Sequence, residues 1–117
     1  MSAAEKHIEG ELIARPERTP DALRMALARL APHRLADMEK QKNEAFQIAA
    51  QTNSLGPIQG WLTIWAGEVE VERRPDLMAR RREAEGVVQT RDRDDPEWRA
   101  AMDEILAVLR EARGAAG

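Results

Sequence analysis

The side chains best suited to chemistry in this 117-residue sequence are its two histidines, His7 and His33. His33 lies four residues before Asp37, a spacing that places both side chains on one face of a helix. Such a pair can share a hydrogen bond or supply half of a metal site. A zinc or iron site needs a further ligand, and no second nearby His or Glu-x-x-His pattern supplies it. We therefore expect a surface pair and no bound metal.

The chain has few side chains that could act as a catalytic nucleophile. There is no Cys and no Tyr, and the two serines are Ser2, near the N-terminus, and Ser54, which follows a helix end. The 21 acidic residues show no pocket-like grouping and are typical of solvated helix faces. No glycine-rich phosphate loop is present. We expect a protein that is not an enzyme and has no cofactor; a small helical enzyme or metal-binding protein is the least favoured alternative.

A basic corner is the most concentrated charge in the sequence. It consists of Arg73, Arg74, Arg80, Arg81 and Arg82. These side chains are candidates for contact with nucleic acid or with an acidic protein partner. Acidic residues flank the corner on both sides, so a solvated or intramolecularly paired face is the interpretation that we favour. No aromatic residues alternate with the arginines, which disfavours single-stranded nucleic acid further.

The elements that would position these residues are helices with clear start signals. Thr19 followed by Pro20 predicts a first helix, which should end before Pro32. A second helix is expected from about Pro32 to Thr52. The second helix should turn the following side chains inward: Leu35, Met38, Ala45, Phe46 and Ala49.

The segment from Leu55 to Val69 is the richest in large apolar residues. One helical face carries Leu55, Ile58, Trp61, Leu62, Trp65 and Val69. This pattern predicts the central helix of the fold. Two interpretations of its end stay open: a continuous helix to about residue 73, or a stop at Gly67 followed by a short strand.

Two further helices complete the predicted fold. One should run over about residues 75–85 and stop at Gly86, and the other from Asp95-Pro96 to about Arg113, with Trp98 on its inner face. We expect an all-α fold, a compact bundle of four to five helices. Residues 19–113 would form a single domain, preceded by a flexible arm at 1–18 and followed by a tail at 114–117.

Some apolar or glycine positions lie away from the predicted inward faces and are candidates for partner binding. They are Met25, Ile48, Gly60, Ile64, Gly67 and Val71. Two alternatives are open for them: packing by a neighbouring helix of the same chain, or an interface with a protein partner or a second copy.

The composition of the chain indicates where in the cell the protein is expected and which partners are disfavoured. The longest apolar runs are far shorter than the ~20 residues of a membrane span, and residues 1–13 contain no apolar block suited to a signal peptide. The net charge of −3 argues against a strongly basic nucleic-acid-binding domain. We expect a cytoplasmic protein that does not bind membranes.

The segment Thr19-Pro20-Asp21-Ala22-Leu23-Arg24, the alanine-rich acidic second helix and Leu55-Gly56-Pro57-Ile58 before the Trp65 helix together resemble a known family. It is the actinobacterial domain of unknown function 6247, and the resemblance covers roughly residues 19–85. Gly60 and Gly67 depart from it, since better helix formers would be expected there. The resemblance implies no catalytic or binding residues, and it implies an antitoxin-like role beside a small toxin. The function predicted is therefore a non-catalytic protein–protein interaction module, with a nucleic-acid-binding regulator as the alternative.

Overall fold

A computed structural model describes residues 10–117 of the chain; the first nine residues of the predicted arm lie outside the described range. Its helices are α1 (Pro20–Leu30), α2 (Leu35–Thr52), α3 (Gly56–Arg73), α4 (Pro75–Thr90) and α5 (Pro96–Ala116), with a 3-10 turn over Pro32–Arg34. Every regular element in residues 10–117 is helical, which confirms the all-α bundle. None of these helices is long and apolar enough to cross a bilayer.

Two of the predicted helix starts, those of α1 and α5, are present with their side-chain caps. The Thr19 hydroxyl accepts a hydrogen bond from the backbone N–H of Ala22 at 3.2 Å, and the Asp95 carboxylate accepts one from Glu97 at 2.8 Å. Pro32 opens a 3-10 turn instead of the α-helix that was expected there, so α2 begins at Leu35. These caps satisfy backbone donors that have no partner within the helix.

The turn between α2 and α3 is tight. Asn53 adopts a left-handed backbone with φ of 54°, a conformation that asparagine tolerates better than most residues, and its N–H bonds to the Ala49 carbonyl. Ser54 Oγ then accepts from the N–H of Gly56 at 3.1 Å. The next helix, α3, continues through Gly67 to Arg73, so the continuous-helix interpretation is correct and no strand follows Gly67.

The larger of two apolar clusters joins α1, α2 and α3. It contains Leu23, Ala26, Leu27, Ala31, Met38, Ala45, Trp61, Trp65, Ala66 and Val69. Both indoles are held by hydrogen bonds to α2: Trp61 Nε1 donates to the Met38 carbonyl at 3.1 Å, and Trp65 Nε1 donates to Gln41 Oε1 at 3.0 Å. The tryptophans therefore fix both the spacing and the register of α2 against α3.

The smaller cluster joins the C-terminal half of α3 to α4 and α5. Its fully buried members are Val71, Leu77, Val108 and Ala112. Farther along the same pair of helices, Gly67 of α3 lies against Arg113 of α5. Residues later in α3 contact residues earlier in α5, so the two helices run antiparallel. Helix α3 is the central helix, as predicted.

Several predicted boundaries and inward residues are wrong. Phe46 and Leu55 were expected in the core, but their side chains are 46% and 68% exposed. Helix α4 does not stop at Gly86 but runs to Thr90, since the half-buried Val87 still lies over α5. Helix α5 includes most of the predicted tail because Ala116 packs against the larger cluster.

Residues 10–18 differ from the flexible arm that was expected. Leu12 N–H donates to the Arg73 carbonyl at 2.9 Å, and Ile13 packs against the larger cluster. Arg18 donates to the Gly117 carbonyl at 2.9 Å and to the Thr63 hydroxyl. This segment is therefore bound along α3 and to the C-terminal end of α5.

Candidate protein-binding site

The first residue of the predicted basic corner, Arg73, lies inside the protein. Only 1% of it is exposed, and its guanidinium bonds to Glu70 Oε1 at 2.8 Å, to Glu11 Oε1 at 3.0 Å and to the Ile13 carbonyl at 3.0 Å. Its prediction as a nucleic-acid or acidic-partner contact is therefore wrong. Its charge is used to hold the N-terminal segment on α3.

Glu70 is the centre of this buried ion cluster. Arg15 binds it in bidentate fashion, at 3.0 Å from Nε and 2.8 Å from the terminal nitrogen, while Arg73 binds from the other side. Burial raises the pKa of Glu70, but the hydrogen bonds from Arg15 and Arg73 outweigh it and lower the pKa to about 2. Glu70 is thus ionised across the physiological range.

A second ion cluster links α4 to the start of α2 across α3. Arg34 bonds to Glu68 at 2.6 Å and Glu72 at 3.2 Å, and Arg81 pairs with the same two carboxylates at 3.1 and 3.6 Å. The Arg34 guanidinium also lies 5.1 Å from the centre of the Trp65 ring. Arg81 is therefore occupied by bonds within the chain.

The remaining arginines of the basic corner are nearer the surface. Arg74 pairs with Asp76 at 2.7 Å, and Arg80 pairs with Glu104 at 2.9 Å and Glu111 at 3.0 Å. Hydrogen bonds to these two carboxylates raise the pKa of Arg80. Arg82 is exposed. Four of the five guanidiniums are thus engaged by acids of the same chain, which leaves little charge for phosphates.

The predicted partner-binding residues divide into two groups. Val71 is fully buried, and a Cβ built on Gly67 would lie 2.7 Å from Arg113 Cγ, so α5 covers both, and their prediction as partner contacts is wrong. Gly60 and Ile64 lie on the same face of α3, toward its N-terminus, and both are exposed. Helix α5 thus covers the C-terminal half of this face and leaves the other half open.

The other two predicted partner-binding residues are also accessible. Ile48 on α2 is 47% exposed, and Met25 on α1 is 68% exposed. Ile48 belongs to the same α2–α3 hairpin as Gly60 and Ile64. Met25 lies on the exposed face of α1 and does not belong to that hairpin.

The end of the α2–α3 hairpin has a property that the sequence reasoning missed. Residues 45–67 contain no Asp, Glu, Lys, Arg or His, although 33% of the whole chain is charged. We call this segment the neutral hairpin. If charged residues were spread evenly along the chain, a segment of this length would contain several of them. The absence of charged residues from this segment is therefore a distinct feature.

The neutral hairpin is also where exposed apolar side chains concentrate. Of the seven large apolar side chains that are exposed in residues 10–117, four lie in it: Phe46, Ile48, Leu55 and Ile64. Its exposed polar residues are Gln47, Gln51, Thr52, Asn53, Ser54, Gln59 and Thr63. The exposed residues of this segment thus carry only apolar groups, amides and hydroxyls, although the guanidinium of Arg18, from outside the segment, donates to the Thr63 hydroxyl.

A groove lies where the two helices of the neutral hairpin meet. Its volume is about 280 Å³, and it is lined by Phe46, Ala49, Ala50, Asn53, Ser54, Leu55 and Ile58. A larger groove, of about 360 Å³, lies between α4 and α5, but Arg80 and Glu104 in its wall are paired with each other. None of the residues that line the groove of the neutral hairpin is charged, which makes this groove the better candidate for docking a protein.

The pair His33 and Asp37, which was expected to be a surface pair, lies in the open. His33, in the 3-10 turn, and Asp37, in the first turn of α2, are both exposed. Within residues 10–117, no three side chains of His, Cys, Asp or Glu converge as metal ligands would. A small helical enzyme that used His33 would hold it in a polar cavity with carboxylates, and the exposed position of His33 gives that alternative no support.

Comparison of the chain with models of protein families, with curated proteins and with solved structures finds no match. The resemblance to the actinobacterial family therefore stays a prediction.

Proposed function

We propose that this protein is a non-catalytic interaction module of the cytoplasm that binds another protein chain through the neutral hairpin. The observation that carries the proposal is the concentration of exposed apolar side chains on a segment of 23 residues without charge, in a chain of which 33% is charged.

The energetics of these side chains favour an interface. Phe46 and Leu55 are 46% and 68% exposed, so burying them in a complex would contribute a corresponding share of the about 1.5–3 kcal/mol for a fully exposed apolar side chain. Interface cores are depleted of charged residues, and the neutral hairpin contains none. Single exposed apolar residues need no explanation, but four on one uncharged segment are a reason to expect a contact.

The hairpin is also presented on a rigid support. The indoles of Trp61 and Trp65 tie α3 to α2 by hydrogen bonds, and Asn53 and Ser54 complete the turn with bonds to neighbouring backbone. A surface that is already ordered loses less conformational entropy on binding. The groove can therefore receive a partner without refolding.

The resemblance to the actinobacterial family gives the proposal a more specific form. In that form the module is an antitoxin-like partner that binds a small toxin. This form predicts that co-expression of the chain rescues growth of cells that produce such a toxin. The variant Phe46→Glu should lose the rescue.

Affinity capture from cells that naturally express the protein tests the general proposal. The wild-type chain should retain a protein partner, counting a second copy of itself, and Phe46→Glu should lose it. Leu106→Glu is the matched control, because Leu106 is 52% exposed on α5, outside the neutral hairpin. Retention that is the same for all three chains, or no partner for the wild type, contradicts the proposal.

The alternative function, a nucleic-acid-binding regulator, makes a different experimental prediction. Binding of duplex DNA should weaken steeply with salt and should be lost when Arg80, Arg81 and Arg82 are replaced. Ion pairs within the chain already hold the first two of these. We therefore propose protein binding as the function.

A further inference from the structure

We infer that the chain seated on the neutral hairpin is a second copy of this protein, with the two grooves facing each other across a two-fold axis. The inference rests on the proposed function and names the partner for that site.

The absence of charge is the first argument. In a two-fold interface each surface patch meets its own copy, so a charged residue near the axis faces the same charge. Like charges placed opposite each other disfavour association. A different partner imposes no such limit, because it can offer the opposite charge. The segment from residue 45 to residue 67 has no charged side chain, so a two-fold axis through it brings no like charges together.

The polar groups of the surface support the same partner. The exposed polar residues of the neutral hairpin carry either an amide or a hydroxyl. Each of these groups can both donate and accept a hydrogen bond, so each can pair with an identical group. A carboxylate only accepts and an ammonium only donates, and neither could match itself. The amides of the face can thus pair with those of a second copy, while the hydroxyls of Thr52, Ser54 and Thr63 already make hydrogen bonds within the chain.

The shape of the face is the third argument. Leu55 is 68% exposed and lies beside the groove that it helps to line, with Phe46 in the same lining. A two-fold axis through this region places Leu55 of each copy over the apolar lining of the other. Both Leu55 side chains and both Phe46 side chains then leave water together. The contact is made twice and closes on itself, which gives a dimer and not a filament.

Mass measured across a concentration series tests the dimer. Sedimentation equilibrium of the wild-type chain should approach twice 13.2 kDa. Leu55→Glu and Phe46→Glu each place two like charges in the interface, and we expect them to raise the dimer dissociation constant by ~100-fold or more. Leu106→Glu should leave the mass unchanged. Far-UV circular dichroism and thermal melting of each variant show whether it is folded.

Cross-linking tests the contact without removing a side chain of the core. The chain has no Cys, so a substitution introduces its only thiol. Ser54→Cys in the groove lining should give a covalent dimer with a short thiol-specific cross-linker. Gly86→Cys is the control, because Gly86 is exposed on α4, where no contact is expected.

Several results would overturn the inference. The inference is wrong if the wild-type chain stays monomeric at high concentration. It is also wrong if the chain forms a dimer that Leu55→Glu and Phe46→Glu leave unchanged. If such a monomer still captures a different protein in a Phe46-dependent manner, the proposed function stands and only the identity of the partner is wrong. If Phe46 instead governs binding to phosphatidylcholine vesicles, the face belongs to a lipid surface and both proposals fail.

Discussion

Glu70 and Arg73, three residues apart on α3, form an ion pair in which each residue is 1% exposed and Arg73 Nε lies 2.8 Å from Glu70 Oε1. The pair also draws in Glu11 and Arg15 from the N-terminal segment. A segment that looks too polar to fold is thereby ordered by buried charge, with the carboxylates and guanidiniums as mutual partners.

Replacement of Glu70 by Gln should destabilise the fold strongly. The variant leaves the buried Arg73 with fewer compensating charges, and removal of one partner of a buried pair typically costs about 3–5 kcal/mol. Chemical denaturation of the two proteins measures the difference. Glu104→Gln removes a partly exposed partner of Arg80 and should cost much less, because ion pairs near the surface contribute little. Equal losses for the two variants would show that the Glu70 cluster does not stabilise the protein.

Stability should fall in acid because of the same residue. The pKa of Glu70 is about 2 in the folded protein, below its ordinary value of 4.5, so the unfolded chain binds the proton first. Its contribution is complete above about pH 5 and is lost as the pH falls toward 2, and it amounts to about 3 kcal/mol. Thermal melting between pH 6 and pH 2.5 measures it, and Glu70→Gln should show a flatter profile. A wild-type melting temperature that does not change over this range would contradict the assignment.

Much of the fold could be predicted from local chemistry. Thr19-Pro20 and Asp95-Pro96 marked helix starts that the structure contains, and the Trp61–Trp65 face identified the central helix, because caps and periodicity act within a few residues. Ion pairing across the chain could not be predicted in this way. The hydrogen bonds from Arg15 to Glu70 and from Arg34 to Glu68 join residues far apart in sequence, so no local pattern predicts them.

The candidate site was only partly predictable. Ile48, Gly60 and Ile64 were identified as surplus apolar or glycine positions, and they are exposed. Helical periodicity placed Phe46 and Leu55 on the inward faces of their helices. Periodicity gives the direction of a side chain from the helix axis, but it does not show whether a neighbouring helix extends far enough to cover that side chain. The uncharged run at residues 45–67 was readable from the sequence and would have pointed to the same segment.

The two glycines inside α3 should respond differently to alanine. Nothing lies within 4 Å of a Cβ built on Gly60, so Gly60→Ala should stabilise the protein by about 0.5–1 kcal/mol through helix propensity. At Gly67 the new Cβ would lie 2.7 Å from Arg113 Cγ, and displacement of that side chain should cancel the gain. The double variant Gly67→Ala, Arg113→Ala should recover it. Equal stabilisation by both single changes would contradict the close approach of α5.

Phe46 should contribute little to the stability of the single chain. Phe46→Ala should lower the free energy of unfolding by about 1 kcal/mol or less, because nearly half of the residue is exposed. Met38→Ala, at a fully buried position on the same helix, should cost about 2–5 kcal/mol. Denaturation at low protein concentration measures both. A large loss for Phe46→Ala would return this residue to the core and weaken its assignment to an interface.

Hydrogen exchange of the native protein, alone and in its complex, tests most directly whether the neutral hairpin is the binding surface. The complex is the concentrated dimer or the protein with its captured partner. Peptides that cover residues 45–64 should exchange more slowly in the complex, and peptides from α4 should be unchanged. Protection that appears on α4 and α5 while residues 45–64 exchange as in the free chain would contradict the account.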